Sequence, residues 1–138
     1  MADLTVTAGN VVSGAGAVTR TGTAGATITA GQPLYQDGAD AFSLKPAQAD
    51  ATDSDVVVGI ALHGAADGQP ITYQTGGVIN LGATLTVGEV YVLSAAAAGG
   101  IAPVGDLTTG NFVSVIGVAT TAALLQMGII NSAVAVPA

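Results

Sequence analysis

The chain has 138 residues, of which 50% are apolar and only 8% are charged. This length fits a single domain, and the absence of cysteine excludes disulfides and thiolate metal sites. Nine acidic residues against Arg20 and Lys45 give a net charge of −7, which disfavours nucleic-acid binding because phosphates are repelled. No apolar run reaches the roughly 18 residues of a membrane-spanning helix, so we expect no membrane partner.

Small side chains dominate the apolar fraction, since aromatic residues make up 4% of the chain and tryptophan is absent. Such residues build a thin core, which burial between subunits would supplement. We therefore predict a stable homo-oligomer, with a homotrimer as the specific form. Residues 1–10 lack the basic and apolar blocks of a secretory signal, which favours synthesis in the cytoplasm without export.

The first 26 residues are of low complexity and rich in Gly, Ala, Val and Thr. They offer little to bury and much backbone freedom to lose, so we predict that residues 1–26 form a flexible N-terminal arm that orders on contact with a partner. Its apolar residues alternate with polar ones or form a short pair, and the predicted partner-binding residues are Leu4, Val6, Val11 and Val12.

Residues 27–138 contain many short segments rich in Val, Ile and Thr, separated by Gly, Pro and Asp. This pattern predicts an all-β domain. Residues 45–55 are expected to form a loop or one helical turn, so the fold has at most one short helix. Strands are predicted over residues 27–35, 41–44, 56–62, 70–74, 78–81, 85–93, 112–119 and 126–131.

An internal sequence repeat divides this domain into two similar halves, about 27–81 and 82–138. Residues 28–35 resemble residues 85–92, residues 58–65 align without gaps on residues 116–123, and Ile71 falls over Ile129. Two copies of a unit are too few for a solenoid. We therefore predict that they pack as one small barrel or sandwich, of which a β-tulip-like arrangement is one form.

Residues able to do chemistry are few and scattered. His63 is the single histidine, and without a positioned partner we interpret it as an exposed turn residue. Asp37 and Asp40 flank Gly38 in a pattern typical of a turn. Asp50, Asp53 and Asp55 are close enough to suggest calcium, but their spacing favours a solvated turn. No nucleophile elbow, phosphate loop or zinc motif occurs, so we expect no catalytic residue, no metal and no cofactor.

The spread of small motifs resembles the head decoration proteins, or capsid cement proteins, of tailed bacteriophages. The resemblance covers about residues 25 to 131 and rests on Gly31-Gln-Pro-Leu-Tyr, on Val57-Val-Gly-Ile-Ala-Leu-His-Gly-Ala-Ala-Asp-Gly-Gln, on Ile71-Thr-Tyr-Gln-Thr-Gly-Gly, and on the second Val-Gly-Glu-Val-Tyr and Ile-Gly-Val-Ala. The shortest members of the family resemble only one of the two halves.

The resemblance implies a small β-rich virion subunit, commonly trimeric, that lies on the outer capsid surface at three-fold positions. There it would clamp neighbouring major capsid proteins, its expected partners, without an active site. Two other interpretations stay open: another structural subunit of a tail, fibre or surface layer, and a carbohydrate-binding module. The module is disfavoured because sugar sites need aromatic platforms, for which only Tyr35, Phe42, Tyr73, Tyr91 and Phe112 are available.

Overall fold

The computed structural model describes residues 3–49 and 56–136, and within them the protein is all-β, as predicted. Its helical structure there is confined to 3₁₀ turns at Ala8–Asn10 and Val104–Asp106. The strands are β1 (Val11–Ser13), β2 (Val18–Thr23), β3 (Pro33–Asp37), β4 (Ser43–Pro46), β5 (Gly59–Ala61), β6 (Pro70–Leu81), β7 (Val90–Leu93), β8 (Ile101–Pro103), β9 (Phe112–Ala119) and β10 (Leu124–Ala135).

The long strand β6 joins two curled halves of one sheet. The strand order is β4-β3-β5-β6-β10-β9-β7-β8, and β1 and β2 also pair with β6. The first part of β6 lies between β2 and β5, and its last part lies between β1 and β10. The paired strands are all antiparallel.

The predicted internal repeat is present in the backbone pairing. Leu34 of β3 faces Pro46 of β4, as Tyr91 of β7 faces Pro103 of β8. The turns before β3 and β7 are also held alike, because the Gly31 N–H donates to Ala61 O and the Gly88 N–H donates to Ala119 O, both at 2.8 Å. Each half therefore folds as one version of a common unit.

The structure places the start of that unit earlier than the sequence did. Thr19 of β2 faces Gln74, and Val78 faces Gln126 in the same relation. The first repeat thus runs from residue 18 to residue 76, and the second from residue 77 to residue 135. Ile71 and Ile129 are not equivalent, because the connection from β5 to β6 is longer than the one from β9 to β10.

Two apolar clusters fill the curled halves. The cluster of the first repeat contains Leu34, Leu44 and Ile71, and it is closed by Ala24, which bridges Leu44 directly after β2. The larger cluster lies under the second repeat and extends into the first. It includes Leu93, Ile101, Ile116 and Leu125 of the second repeat, and Ala30, Ala47 and Ala49 of the first.

The N-terminal segment is extended, but it is not a free arm over its described residues. Thr19 to Thr23 follow β6 in register from Gln74 to Pro70, and Ala24 is buried. The physical reason is that backbone hydrogen bonding to an existing strand orders a segment whose own side chains bury little. The structure thus differs from the flexible arm expected for residues 1–26.

Candidate interaction surfaces

Three of the four predicted partner-binding residues face the chain's own core. Leu4 and Val6 are half-buried against the larger cluster, and Val11 is buried within it. The Leu4 N–H donates to Ile101 O at 2.8 Å, and the Thr7 N–H donates to Gly82 O at 3.0 Å. Leu4, Val6 and Val11 therefore pack on their own chain, with Val6 and Val11 also beside Gly31 of the first repeat, and their contact with a partner stays a prediction.

Val12 is the exception, because its side chain is exposed. Val12 lies on β1 and faces Asn80 of β6. The exposed Val18 begins the next strand, β2. Beyond Val18, β2 pairs with β6 along one side, and its end approaches Leu44 of β4, to which Ala24 forms a bridge directly after the strand. The β1–β2 side of the molecule is thus an edge that offers two aliphatic side chains and backbone groups.

Three further exposed aliphatic side chains lie along β9 and β10. We call Val118, Ile130 and Val134 the β9–β10 patch; Ile130 and Val134 are 63% and 62% exposed. Neither strand contains a charged residue. Asn131 fixes the nearby chain, since its side-chain amide accepts from the Val57 N–H at 2.8 Å and donates to Val57 O at 3.0 Å. Because neither strand contains a charged residue, the patch has the low charge that is typical of interface centres.

The loop between β3 and β4 places Phe42 in solvent. Lys45 Nζ donates to Asp37 Oδ2 at 2.7 Å and lies 3.4 Å from Asp40 Oδ2. The hydrogen bond from Lys45, assisted by the Ala39 N–H, lowers the pKa of Asp37, and the same bond raises the pKa of Lys45. Asp37 and Asp40 thus stand in a turn, and this turn holds an aromatic side chain away from the protein.

His63 is exposed, and its ring hydrogen-bonds to the backbone of its own turn and of β6. Its Nδ1 lies 2.8 Å from Gly64 O, and the Thr72 N–H lies 3.0 Å from its Nε2. This pairing requires the proton on Nδ1, so that Nε2 can accept. Both ring nitrogens are occupied by backbone groups, which is the arrangement of a turn-stabilising histidine.

Groups that could bind a metal or a sugar are not assembled in the described part of the chain. Among residues 3–49 and 56–136, no three His, Cys, Asp or Glu side chains stand close enough to hold a metal ion. Asp50, Asp53 and Asp55 lie outside the described residues. Of the five aromatic residues, all within the described ranges, Phe42 alone is exposed. A flat aromatic platform for sugars is therefore not formed.

A depression with polar lining lies beside the start of the N-terminal segment. It has a volume of about 470 Å³ and is lined by Asp3, Ser94, Thr108 and Asn111 among others. Ser94 Oγ donates to the Asp3 carboxylate at 2.7 Å, which ties the segment to the second repeat. These contacts explain the depression as a packing feature of the N-terminal segment.

Comparison of the sequence with protein-family models and with curated proteins finds no match. Within the described residues, no helix has the length and apolar character to cross a membrane.

Proposed function

We propose that this chain is a structural virion protein that binds the outer surface of a bacteriophage head and stabilises contacts between major capsid proteins. The observation that carries the proposal is the β9–β10 patch, an exposed aliphatic surface on two strands without charge. The motif resemblance to capsid decoration proteins supplies the identity of the partner. A protein of this kind needs affinity for a shell and no chemistry.

Modest contacts suffice for such a role when they are repeated. Burying one exposed Val or Ile side chain contributes about 1.5–3 kcal/mol, of which association entropy removes a large part. A homo-oligomer that presents several patches at once would gain avidity of about 10²-fold or more. We therefore propose that the chain acts as an oligomer, with a trimer as the expected form at three-fold positions.

The proposal is tested by adding the purified protein to undecorated heads assembled from the major capsid protein of the same genome. Co-sedimentation should show saturable binding, and decorated heads should resist heat better than bare heads. The double variant Ile130→Thr/Val134→Thr should bind at least tenfold more weakly. Val12→Thr removes an exposed aliphatic side chain on the β1–β2 edge and should bind as the unchanged protein does.

Binding to tails or fibres without binding to heads would transfer the chain to another class of structural subunit. Equal head binding by the double variant and by the unchanged protein would place the contact elsewhere, with the β1–β2 edge as the next surface to alter through Val12→Thr/Val18→Thr. A protein that neither binds heads nor raises their thermal resistance would overturn the proposal.

A further inference from the structure

The two repeats contain equivalent loops that share two internal hydrogen bonds. Residues 37–43 join β3 to β4, and residues 94–100 join β7 to β8. In the first loop, the Ala39 N–H donates to Asp37 Oδ1 at 3.0 Å, and in the second the Ala96 N–H donates to Ser94 Oγ at 3.0 Å. Each loop then closes with a further backbone bond, from Ser43 to Asp40 and from Gly100 to Ala97.

The loop of the second repeat is covered by the first repeat. The Gly99 N–H donates to Ala47 O at 2.7 Å, and the Ala49 N–H donates to Ser94 O at 2.9 Å. Gln48 Nε2 adds a bond to Ala95 O at 2.9 Å. Beneath this contact the side chains of Ala30 and Ala47 are buried in the larger cluster. Loop 94–100 and the Ala30–Ala47 surface therefore form an interface between the repeats.

The same two surfaces recur in the chain without a cover. Val87 and Val104 occupy in the second repeat the positions that Ala30 and Ala47 occupy in the first, and they are 64% and 42% exposed. Loop 37–43 is the counterpart of the covered loop, and its Phe42 is 67% exposed. Loop 37–43 is thus an exposed counterpart of one side of the internal interface, and Val87 with Val104 is an exposed counterpart of the other side.

The backbone at Phe42 gives a second reason to expect a partner. Phe42 has φ 58°, and the equivalent Gly99 has φ 76°. An aromatic residue is strained in this left-handed region, whereas glycine is not. Strained residues of this kind concentrate at sites of recognition. The ion pair of Lys45 with Asp37 braces the loop, so the exposed ring is held ready for contact.

We propose that a second copy of this chain covers both surfaces, with Phe42 of one copy packed on Val87 and Val104 of the next. This contact would use the counterparts of the two surfaces that already join the repeats, but through side chains, because the Phe42 N–H donates to Asp37 O within its own loop. It is head-to-tail, because the loop and the surface that receives it lie on different repeats, and such contacts close into rings when the rotation permits. The inference rests on the internal repeat and is independent of capsid binding.

The charges at the two surfaces add a distinguishing property. The loop carries Asp37 and Asp40 against Lys45, and Glu89 and Asp106 lie close in sequence to the valines that receive it. Both surfaces are therefore net acidic. Screening by salt weakens repulsion between like charges, so association of the copies should tighten as ionic strength rises.

The test is sedimentation velocity of the full chain, without heads, over micromolar concentrations. The unchanged protein should associate reversibly, and Phe42→Gly and Val87→Ser/Val104→Ser should each weaken association at least tenfold. Phe42→Gly also removes the strain, so its melting temperature as a monomer should not fall. Ile130→Thr, which alters an exposed side chain on β10, should associate as the unchanged protein does.

Mixing the two variants tests the head-to-tail arrangement directly. Phe42→Gly keeps an intact valine surface and Val87→Ser/Val104→Ser keeps an intact loop, so together they should form a heterodimer that does not grow further. A symmetric loop-to-loop contact would give no heterodimer. A monomeric unchanged protein at every concentration and ionic strength, or variants that associate as tightly as it does, would overturn the inference.

Discussion

Gln74 is the buried polar side chain that shapes the middle of β6. It is fully buried, and its Nε2 donates to Gly76 O and to Val78 O, both at 2.9 Å. These two carbonyls flank the point where β6 passes from the first half of the sheet to the second. At the equivalent position of the second repeat, Gln126 is exposed. One residue type thus has a structural role in one repeat and a solvated position in the other.

Replacing Gln74 by methionine keeps a similar volume but removes both donors. The Gly76 carbonyl would lose this donor, while the Val78 carbonyl would keep the bond from the Gly14 N–H, so we expect a cost of about 1 kcal/mol. We expect Gln74→Met to lower the free energy of unfolding by that amount in urea denaturation, and Gln126→Met to leave it within about 0.5 kcal/mol of the unchanged protein. Equal effects of the two substitutions would contradict the assigned role.

The Asp37–Lys45 pair predicts a pH dependence of stability. The hydrogen bond from Lys45 lowers the pKa of Asp37, so the pair stabilises the folded chain above the ordinary aspartate pKa of about 4. This stabilisation is lost as pH falls through the lowered folded-state pKa. The raised pKa of Lys45 keeps its contribution until pH rises through that raised value, in the alkaline range.

Thermal melting of the unchanged protein and of Asp37→Asn should therefore differ most at neutral pH. The difference should shrink as the solution becomes strongly acidic, because both forms then carry an uncharged side chain at residue 37. Asp67→Asn changes an exposed aspartate in the turn before β6 and serves as the control. A gap between the unchanged protein and Asp37→Asn that stays constant with pH would rule out the ion pair as its cause.

At the scale of the element, β6 is the feature that connects the repeats. The sequence predicts two strands, 70–74 and 78–81, because Gly76-Gly77 looks like a break. The structure has one strand, since Gly77 adopts φ 87° and lets the chain change direction while pairing continues. A Cβ on Gly77 would overlap the Gly16 carbonyl, whereas one on Gly76 would meet no atom within 4 Å.

Gly77→Ala should consequently destabilise the protein far more than Gly76→Ala. The alanine at residue 77 would be strained at positive φ and would push β6 away from the Gly16 carbonyl, which together cost about 2 kcal/mol or more. Both variants replace glycine by alanine at adjacent positions, so a difference between their urea midpoints reports on the backbone at residue 77 and not on the type of substitution. A loss of stability that is equal at both positions would show that φ at Gly77 is not limiting.

The elements that the sequence predicts well are those with apolar periodicity. Residues 85–93 and 112–119 contain β7 and β9, and the echo of residues 28–35 in residues 85–92 corresponds to matching turns and strands. The predicted strand 56–62 shortens to Gly59–Ala61. β2 is missing from the prediction because Val-Thr-Arg-Thr-Gly-Thr is exposed along nearly its whole length, and its order comes from backbone pairing that leaves no apolar pattern.

At the scale of the whole molecule, the destination of the N-terminal apolar residues could not be predicted from the sequence. Alternation at Leu4 and Val6 does indicate a segment that adds to the edge of a sheet. Which edge it joins depends on the curvature of the second repeat, in which Ile101 O of β8 accepts a hydrogen bond from the Leu4 N–H. Sequence patterns describe a segment's own periodicity, and they do not specify whether its partner lies in the same chain.

Two truncations separate the parts of this N-terminal segment. Deleting residues 2–9 removes the Leu4 and Val6 contacts with the larger cluster but leaves every strand in place. Losing two half-buried apolar side chains should cost about 2–3 kcal/mol, so we expect a lower melting temperature with a single cooperative transition. Deleting residues 2–24 also removes β1 with its buried Val11, β2, and Ala24, which closes the cluster of the first repeat.

We therefore expect the longer truncation to abolish cooperative unfolding, because the first part of β6 would lose its β2 partner and the cluster around Leu44 would open to water. Circular dichroism melting and amide hydrogen exchange on both truncated proteins measure this difference. Protection should be lost at Ile71 and Tyr73 in the longer truncation and retained in the shorter one. If the chain without residues 2–24 melts as the full-length protein does, β2 is a dispensable arm and its assignment to the first repeat is wrong.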